Sequence, residues 1–259
     1  MKKITFAIIS LILVLALSSC ADILSAGDKF FTNSWGSAFS RTFDPSNISI
    51  NASNANDWIA RANGNSDLAY AIAQKINQDL AAGKVSEADK PAMIDAGVKL
   101  SIEASGIGVS LFTNAFGEIE NLLDEDFDDA AEVIQNILSN IQKDFKGNNG
   151  ANVASNLAGI IGSAITTGNT PSLSDDYINN ASTNDIALAV VVLTLGVLEK
   201  DENSSVDFDD LSSIAGIQGI NNNKITVTND AEPEVRALAA FFNSLDPDSF
   251  LGGLLDIFD

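Results

Sequence analysis

The stretch IALAVVVLTLGVL, from Ile186 to Leu198, decides the fold. Thr194 is its only polar residue, so the stretch is apolar on every side of a helix. A helix of that kind must lie inside a protein or a membrane. A transmembrane helix needs about 20 apolar residues, and this stretch is shorter. It therefore predicts a buried central helix, in which a charge placed at Val191 should destabilise the fold strongly.

Outward from this stretch, apolar residues recur every three to four positions, which is the spacing of one helix face. The apolar stripes are Leu68–Leu80, Ile94–Ile102, Leu111–Leu123, Val133–Phe145, Leu157–Ile165 and Val235–Phe242. Gly83 suits a position just past a helix end, and Pro233 suits a first helical turn. Only Ile225–Val227 is strand-like, and it has no obvious partner. The pattern predicts an all-α fold of stacked antiparallel helical hairpins, as an irregular helical bundle or a short α-solenoid.

A short element recurs between the predicted helices, in which a capping residue is followed three positions later by an acid. It occurs at Val85–Asp89, Asp126–Asp129 and Val206–Asp210. The spacing is that of a capping box, although Asp replaces the preferred Glu or Gln. The capping residues Ser86, Asp126 and Asp207 are 40 and 81 residues apart. These intervals suggest a unit of about 40 residues, which is the length of repeats made of paired helices.

Composition excludes several classes of function. The 259-residue chain has 14 basic and 35 acidic residues, a net charge of −21 and no histidine. Without histidine there is no Ser-His-Asp triad, no HExxH zinc site and no His-ligated haem. The acidic surface would repel nucleic acid. Neither G-x-S-x-G nor S-x-x-K occurs, so we expect no enzyme and no cofactor.

The first twenty residues carry a targeting pattern. Lys2 and Lys3 precede the apolar stretch Ile4–Leu17, which is broken only by Thr5 and Ser10. That stretch fits the apolar region of a secretory signal. The sequence Leu17-Ser18-Ser19-Cys20 follows, and the whole pattern resembles the lipobox signal of bacterial lipoproteins. The other interpretation is an ordinary signal peptide with an incidental cysteine.

The lipoprotein resemblance implies cleavage before Cys20 and lipidation of its thiol. Residues 1–19 would then be the signal peptide, residues 20–53 a lipidated and partly packed tether, and residues 54–259 one all-helical domain. The expected location is the bacterial cell envelope, with a lipid anchor. The residue after the cysteine is alanine, which favours the outer membrane in the sorting pattern of some two-membrane bacteria.

One acidic stretch resembles the twelve-residue calcium loop of EF-hand proteins. The oxygen-bearing ligand positions fall on Glu199, Asp201, Asn203, Ser205, Asp207 and Asp210. Three positions depart from that pattern: Glu199 stands where Asp is usual, Ser204 replaces the glycine, and Asp210 replaces the bidentate glutamate. The simpler interpretation, which we favour, is an acidic loop between helices that ends in the recurring cap.

The sequence therefore favours a non-enzymatic lipoprotein whose helical body binds a protein partner in the envelope. The first alternative is a carrier or sensor of an apolar, lipid-like ligand. Its cavity would be lined by the glycine-containing apolar segments Gly106–Phe116, Leu157–Ile165, Ile186–Leu198 and Phe250–Phe258. The second alternative is a divalent-cation module at Glu199–Asp210. The expected contacts are thus the membrane, through the lipid, and a protein partner or an apolar ligand, but no nucleic acid.

Overall fold

The computed structural model describes residues 48–108, 141, 143–145, 147, 149–200, 214–221 and 224–244. These residues form helices packed against one another and one small two-stranded hairpin, which confirms the predicted helical fold class. The elements in chain order are α1 Ala55–Ala62, α2 Ser66–Ala81, α3 Lys90–Ser105, α4 Gly150–Gly162, α5 Asp175–Ile178, α6 Thr183–Lys200, β1 Ile217–Asn221, β2 Lys224–Val227 and α7 Pro233–Ser244.

Helix α4 lies at the centre of the packing. It contacts four other helices, namely α2, α3, α6 and α7. Helix α3 also contacts α1, α2 and α6, and α7 contacts α6 and β2. In a solenoid each unit contacts only its neighbours, so these contacts favour the irregular bundle over the short α-solenoid.

Helix α2 shows how local sequence forms these elements. Ile72 and Ile76 are completely buried, Leu80 is buried and Leu68 is half-buried, as their spacing predicts. The helix begins after Asn65, whose side-chain oxygen accepts a hydrogen bond from the Leu68 N–H at 3.0 Å. It ends before Gly83, whose φ of 65° is a conformation that glycine adopts at little cost.

The Ile186–Leu198 stretch forms most of α6, and none of its residues is exposed. It shares the core with α4 and α7, which are also largely buried. Val191, the position at which the sequence predicts a strongly destabilising charge, is not among the most buried positions of α6. Val191 is only half-buried, whereas Val192 and Leu193 are completely buried.

The strand-like stretch Ile225–Val227 has a partner, contrary to the sequence analysis. It lies in β2, which pairs antiparallel with β1 through Ile220 and Ile225 and through Gly219 and Thr226. The register shifts between Ile217 and Gly219. This irregularity removes the alternation by which a strand is recognised in sequence, so β1 could not be predicted.

At the first copy of the recurring element the capping residue of α3 is Asp89, which makes no side-chain capping bond, and the predicted pair forms in the preceding turn, at Ser86. Its Oγ accepts a hydrogen bond from the Asp89 N–H at 3.3 Å and donates one to the Asp89 carboxylate at 2.7 Å, just before α3. The same pair forms between Ser182 and Asp185 at the start of α6. That position does not fit the predicted 40-residue interval. The elements at Asp126–Asp129 and Val206–Asp210 lie outside the described residues.

Candidate functional site

Most of the site residues predicted from sequence lie outside the described part of the chain. These are the lipidation residue and five of the six cation ligands, namely Cys20, Asp201, Asn203, Ser205, Asp207 and Asp210. Glu199 is described and lies in the last turn of α6. The lipid anchor and the calcium loop therefore stay predictions.

The end of α6 carries an ion pair next to Glu199. The Lys200 Nζ lies 2.8 Å from Glu234 Oε1 and 3.4 Å from Glu232 Oε2. Glu234 is completely buried. Burial alone would lower the pKa of Lys200, but the bonds and the negative charges of Glu234 and Glu232 raise it overall. The Lys200 ammonium therefore stays charged and compensates the buried Glu234 carboxylate.

The described residues contain no group of three or more acids or cysteines placed to hold a metal ion. Glu199 does have a buried oxygen, Oε2, without a hydrogen-bond partner in the structure. A cation site at Glu199–Asp210 would thus take most of its ligands from the undescribed residues.

A second charged group lies elsewhere in the body, and we call it the Asp95 cluster: Asp95, Lys99, Tyr177 and Asp185. The Lys99 Nζ lies 2.7 Å from Asp95 Oδ2 and 3.8 Å from Asp185 Oδ2. Asp185 Oδ2 also accepts a hydrogen bond from the Ser182 hydroxyl at 2.7 Å. Two carboxylates therefore share one ammonium group.

Two buried polar atoms of the Asp95 cluster have no hydrogen-bond partner in the structure, namely the Tyr177 hydroxyl and Asp95 Oδ1. Tyr177 is only 1% exposed. Its ring packs edge-on against Phe241, with 6.5 Å between the ring centroids. Burial raises the pKa of Tyr177, and the negative charges of Asp95 and Asp185 raise it further. The hydroxyl thus stays protonated, and this buried donor has no hydrogen-bond partner in the structure.

The surroundings of the Asp185 carboxyl group raise its pKa. Burial raises its pKa above the ordinary value of 3.8, and the charge of Asp95 adds to the rise. The bond from Ser182 and the charge of Lys99 oppose this shift without cancelling it.

The Asp95 cluster has no signature in the sequence. Asp95 and Lys99 are four residues apart in α3, which is the spacing of an ordinary ion pair on a helix surface. Asp185 follows a serine in a capping pattern, and Tyr177 stands alone in a polar stretch. Only the packing of α3, α5 and α6 brings the four together, so no local signal could have revealed them.

Two described glycines, Gly196 and Gly97, serve close packing between helices, whereas Gly108 and Gly162 of the apolar segments have open space beside them. A Cβ built on Gly196 of α6 would lie 2.2 Å from the Ala154 Cβ of α4. A Cβ on Gly97 of α3 would lie 2.9 Å from Ile160 Cδ1 of the same α4. At these two places the space beside the glycine is filled by a neighbouring helix.

Within the described ranges, no helix has both the length and the apolar character to cross a bilayer. Comparison of the whole chain with known protein families, characterised proteins and solved structures finds no match.

Proposed function

We propose that this chain is a non-enzymatic, lipid-anchored protein of the bacterial cell envelope whose helical body binds a protein partner. The observation that carries the proposal is the pattern of the first twenty residues. Lys2 and Lys3, the apolar stretch Ile4–Leu17 and the box ending at Cys20 follow in the order of a lipoprotein signal. One acyl chain anchors only marginally, and the two or three chains that such proteins carry give stable anchoring.

The proposed partner presents a basic surface. Exposed acids outnumber exposed basic residues on the described body; they include Asp57, Asp67, Glu87, Asp144, Asp175, Asp176, Asp230 and Glu232. Complementary charge speeds association and disfavours partners of like sign. Binding should therefore weaken as salt screens the charges.

The anchor is tested by substituting Cys20. In Cys20→Ala, we expect loss of labelling by a radioactive fatty acid and of processing, since the acceptor thiol is gone. Ser18→Ala, two residues upstream, keeps a small side chain and should behave as the unmodified chain. Labelling that persists in Cys20→Ala would refute the anchor.

The partner is tested by cross-linking in isolated membranes at low and high salt. A discrete adduct that fades above about 0.5 M salt fits a partner held by charge, because the screening length there is only a few ångströms. No adduct at any salt concentration would count against the interaction proposal.

Native mass spectrometry of the purified chain separates the alternatives. A co-purifying lipid would favour the carrier of an apolar ligand, and a bound calcium ion would favour the module at Glu199–Asp210. A protein that carries neither lipid nor calcium would favour the first function, binding of a protein partner.

A further inference from the structure

The connection between α1 and α2 is a tight turn that runs from Ala62 to Asn65. The Asn65 N–H donates a hydrogen bond to the Ala62 carbonyl at 2.9 Å. Asn63 has φ −55° and ψ 125°, and Gly64 has φ 75°. These are the angles of a type II turn, in which the third residue needs a positive φ that glycine adopts at little cost. Asn63 and Gly64 are both exposed, so water reaches this turn.

A side chain of α3 holds the turn from the other side. Glu103 Oε1 accepts a hydrogen bond from the Gly64 N–H at 2.7 Å, although the two residues are 39 positions apart in the sequence. Burial raises the pKa of the Glu103 carboxyl group, and the bond from Gly64 opposes that rise, so this bond favours the ionised form. A hydrogen bond to an ionised carboxylate is stronger than one between neutral groups. Glu103 therefore fixes the peptide unit between Asn63 and Gly64.

An asparagine followed by glycine is open to a reaction of its side-chain amide. The nitrogen of the next residue can attack the asparagine Cγ, and glycine has no side chain to obstruct the approach. A bond forms between that nitrogen and Cγ, the Cγ–Nδ2 bond breaks, and Nδ2 leaves as ammonia with the proton of the attacking nitrogen. Water then opens the cyclic imide. Opening at one carbonyl gives aspartate, and opening at the other gives isoaspartate.

The observed geometry opposes this reaction at Asn63. The attacking atom would be the Gly64 nitrogen, whose proton is engaged with Glu103. The ψ of 125° turns that nitrogen away from the Asn63 side chain, so ring closure needs a rotation about the Cα–C bond of Asn63. The same rotation would swing the Gly64 N–H and break its bond to Glu103. The negative charge of the carboxylate also disfavours loss of the proton from the nitrogen.

We propose that Asn63 is a site of slow, spontaneous conversion to aspartate and isoaspartate, and that Glu103 restrains the conversion by holding the Gly64 nitrogen. Water is the only co-reactant. Isoaspartate adds one carbon to the backbone between α1 and α2, and aspartate adds a negative charge to a turn that is held by a carboxylate. Both products weaken the bond from the turn to α3. The buried residues of α1 are the small Ala55 and Ala62, so conversion loosens this helix from the body.

The second Asn-Gly pair of the chain, Asn149-Gly150, provides an internal reference. Asn149 is exposed, and its Oδ1 accepts a hydrogen bond from Asn152 Nδ2 at 2.6 Å. Gly150 is the first residue of α4. This pair is held by contacts of its own. A substitution of Glu103 should therefore affect it only if the whole fold loosens.

Peptide mapping of the full-length chain, after incubation at mildly alkaline pH, tests the proposal. The readout is the converted fraction of residues 63 and 149, from the change of mass and the separation of aspartyl from isoaspartyl peptides. In Glu103→Ala, conversion of Asn63 should be about tenfold faster, the factor at the lower end of the range for a hydrogen bond to a charged group. Conversion of Asn149 should not change. Glu103→Gln keeps an oxygen that can accept the bond but loses the charge, so its rate should be intermediate.

A matched control and a second readout complete the experiment. Glu87→Ala removes an exposed carboxylate just before α3 and should leave both rates unchanged. Hydrogen exchange of residues 55–62 should rise after conversion, relative to residues 150–162 of α4. An unchanged Asn63 rate in Glu103→Ala, or no conversion of Asn63 in any variant, overturns the proposal. An equal rise at Asn63 and Asn149 overturns it too, because it reports loss of the fold instead of loss of one bond.

Discussion

At the scale of single residues, Asn243 links three segments of the C-terminal half. Its Oδ1 accepts a hydrogen bond from the Ile225 N–H at 2.6 Å, and its Nδ2 donates to the carbonyls of Pro171 and Ile225, each at 2.8 Å. The side chain is only 4% exposed, so water cannot replace these bonds.

Asn243→Ala should lower the free energy of unfolding by about 2–4 kcal/mol, because it leaves buried backbone groups without partners. Chemical denaturation measures the change. Gln74→Ala, at an exposed position of α2, is the control and should change stability by less than about 0.5 kcal/mol. Equal effects of the two substitutions would contradict the assigned role of Asn243.

Asp79 contributes a pH dependence opposite in sign to that of Asp185. Burial alone would raise its pKa, but hydrogen bonds and attraction from Lys75 and Lys84 hold it below its ordinary 3.8. A carboxylate with a lowered pKa stabilises the fold above its unfolded-state value, and this contribution is lost as pH falls through the folded-state pKa.

Asp79→Asn should therefore cost about 1–2 kcal/mol at pH 7, and the difference from the unmodified chain should shrink as pH falls from 3.8 through the lowered pKa of Asp79. Urea denaturation at several pH values measures it. Glu87→Gln removes a carboxylate that is 87% exposed and paired with Lys90, and it should cost little at any pH. If Asp79→Asn lowered the free energy of unfolding by the same amount at every pH, the ionised Asp79 carboxylate would not be the source of the stabilisation.

At the scale of elements, the close contact between α4 and α6 depends on Gly196, because glycine has no side chain. Gly196→Ala would place a Cβ 2.2 Å from that of Ala154, so the two helices would have to separate. We expect a loss of about 1–3 kcal/mol. Gly162→Ala, at the exposed end of α4 with open space around it, should be neutral or stabilising by up to about 1 kcal/mol. Thermal denaturation compares the two, and a neutral Gly196→Ala would refute the close approach.

Neighbouring valines in α6 give a second comparison. Val192 is completely buried, so Val192→Asp should cost at least about 3 kcal/mol and lose folded protein. Val191 is half-buried, and Val191→Asp should cost clearly less, since its carboxylate can reach solvent. Soluble yield and urea midpoints rank the variants. If Val191→Asp destabilised the protein more than Val192→Asp, the assignment of Val192 to the buried face of α6 would be wrong.

The elements that could be predicted from the sequence are those whose apolar residues form a regular pattern within one short segment. The stripes of α2 and α7 repeat every three to four residues and predict both helices and their buried faces. The β1 strand could not be predicted, because its irregular register near Gly219 hides the alternation. The Asp95 cluster could not be predicted either, since its members meet only when three separate elements pack.

At the scale of the whole molecule, the fold should give a spectrum dominated by helix. Helices form most of the described body. Far-ultraviolet circular dichroism of residues 21–259 should therefore show the minima of an α-helical spectrum, near 208 and 222 nm. A spectrum dominated by sheet would contradict the architecture.

The hydrogen bonds of the C-terminal segment also imply an order of events when the chain folds. The Val227 N–H bonds to the Asn169 carbonyl, Arg236 to that of Gly168 and Asn243 to that of Pro171. The carbonyls of Gly168, Asn169 and Pro171 thus accept hydrogen bonds from segments synthesised much later. Contacts between distant segments slow folding, because the intervening chain must first be brought together. A nascent chain that stops before α7 lacks one face of the packing around α4, so the core is completed only when the last described helix has been made.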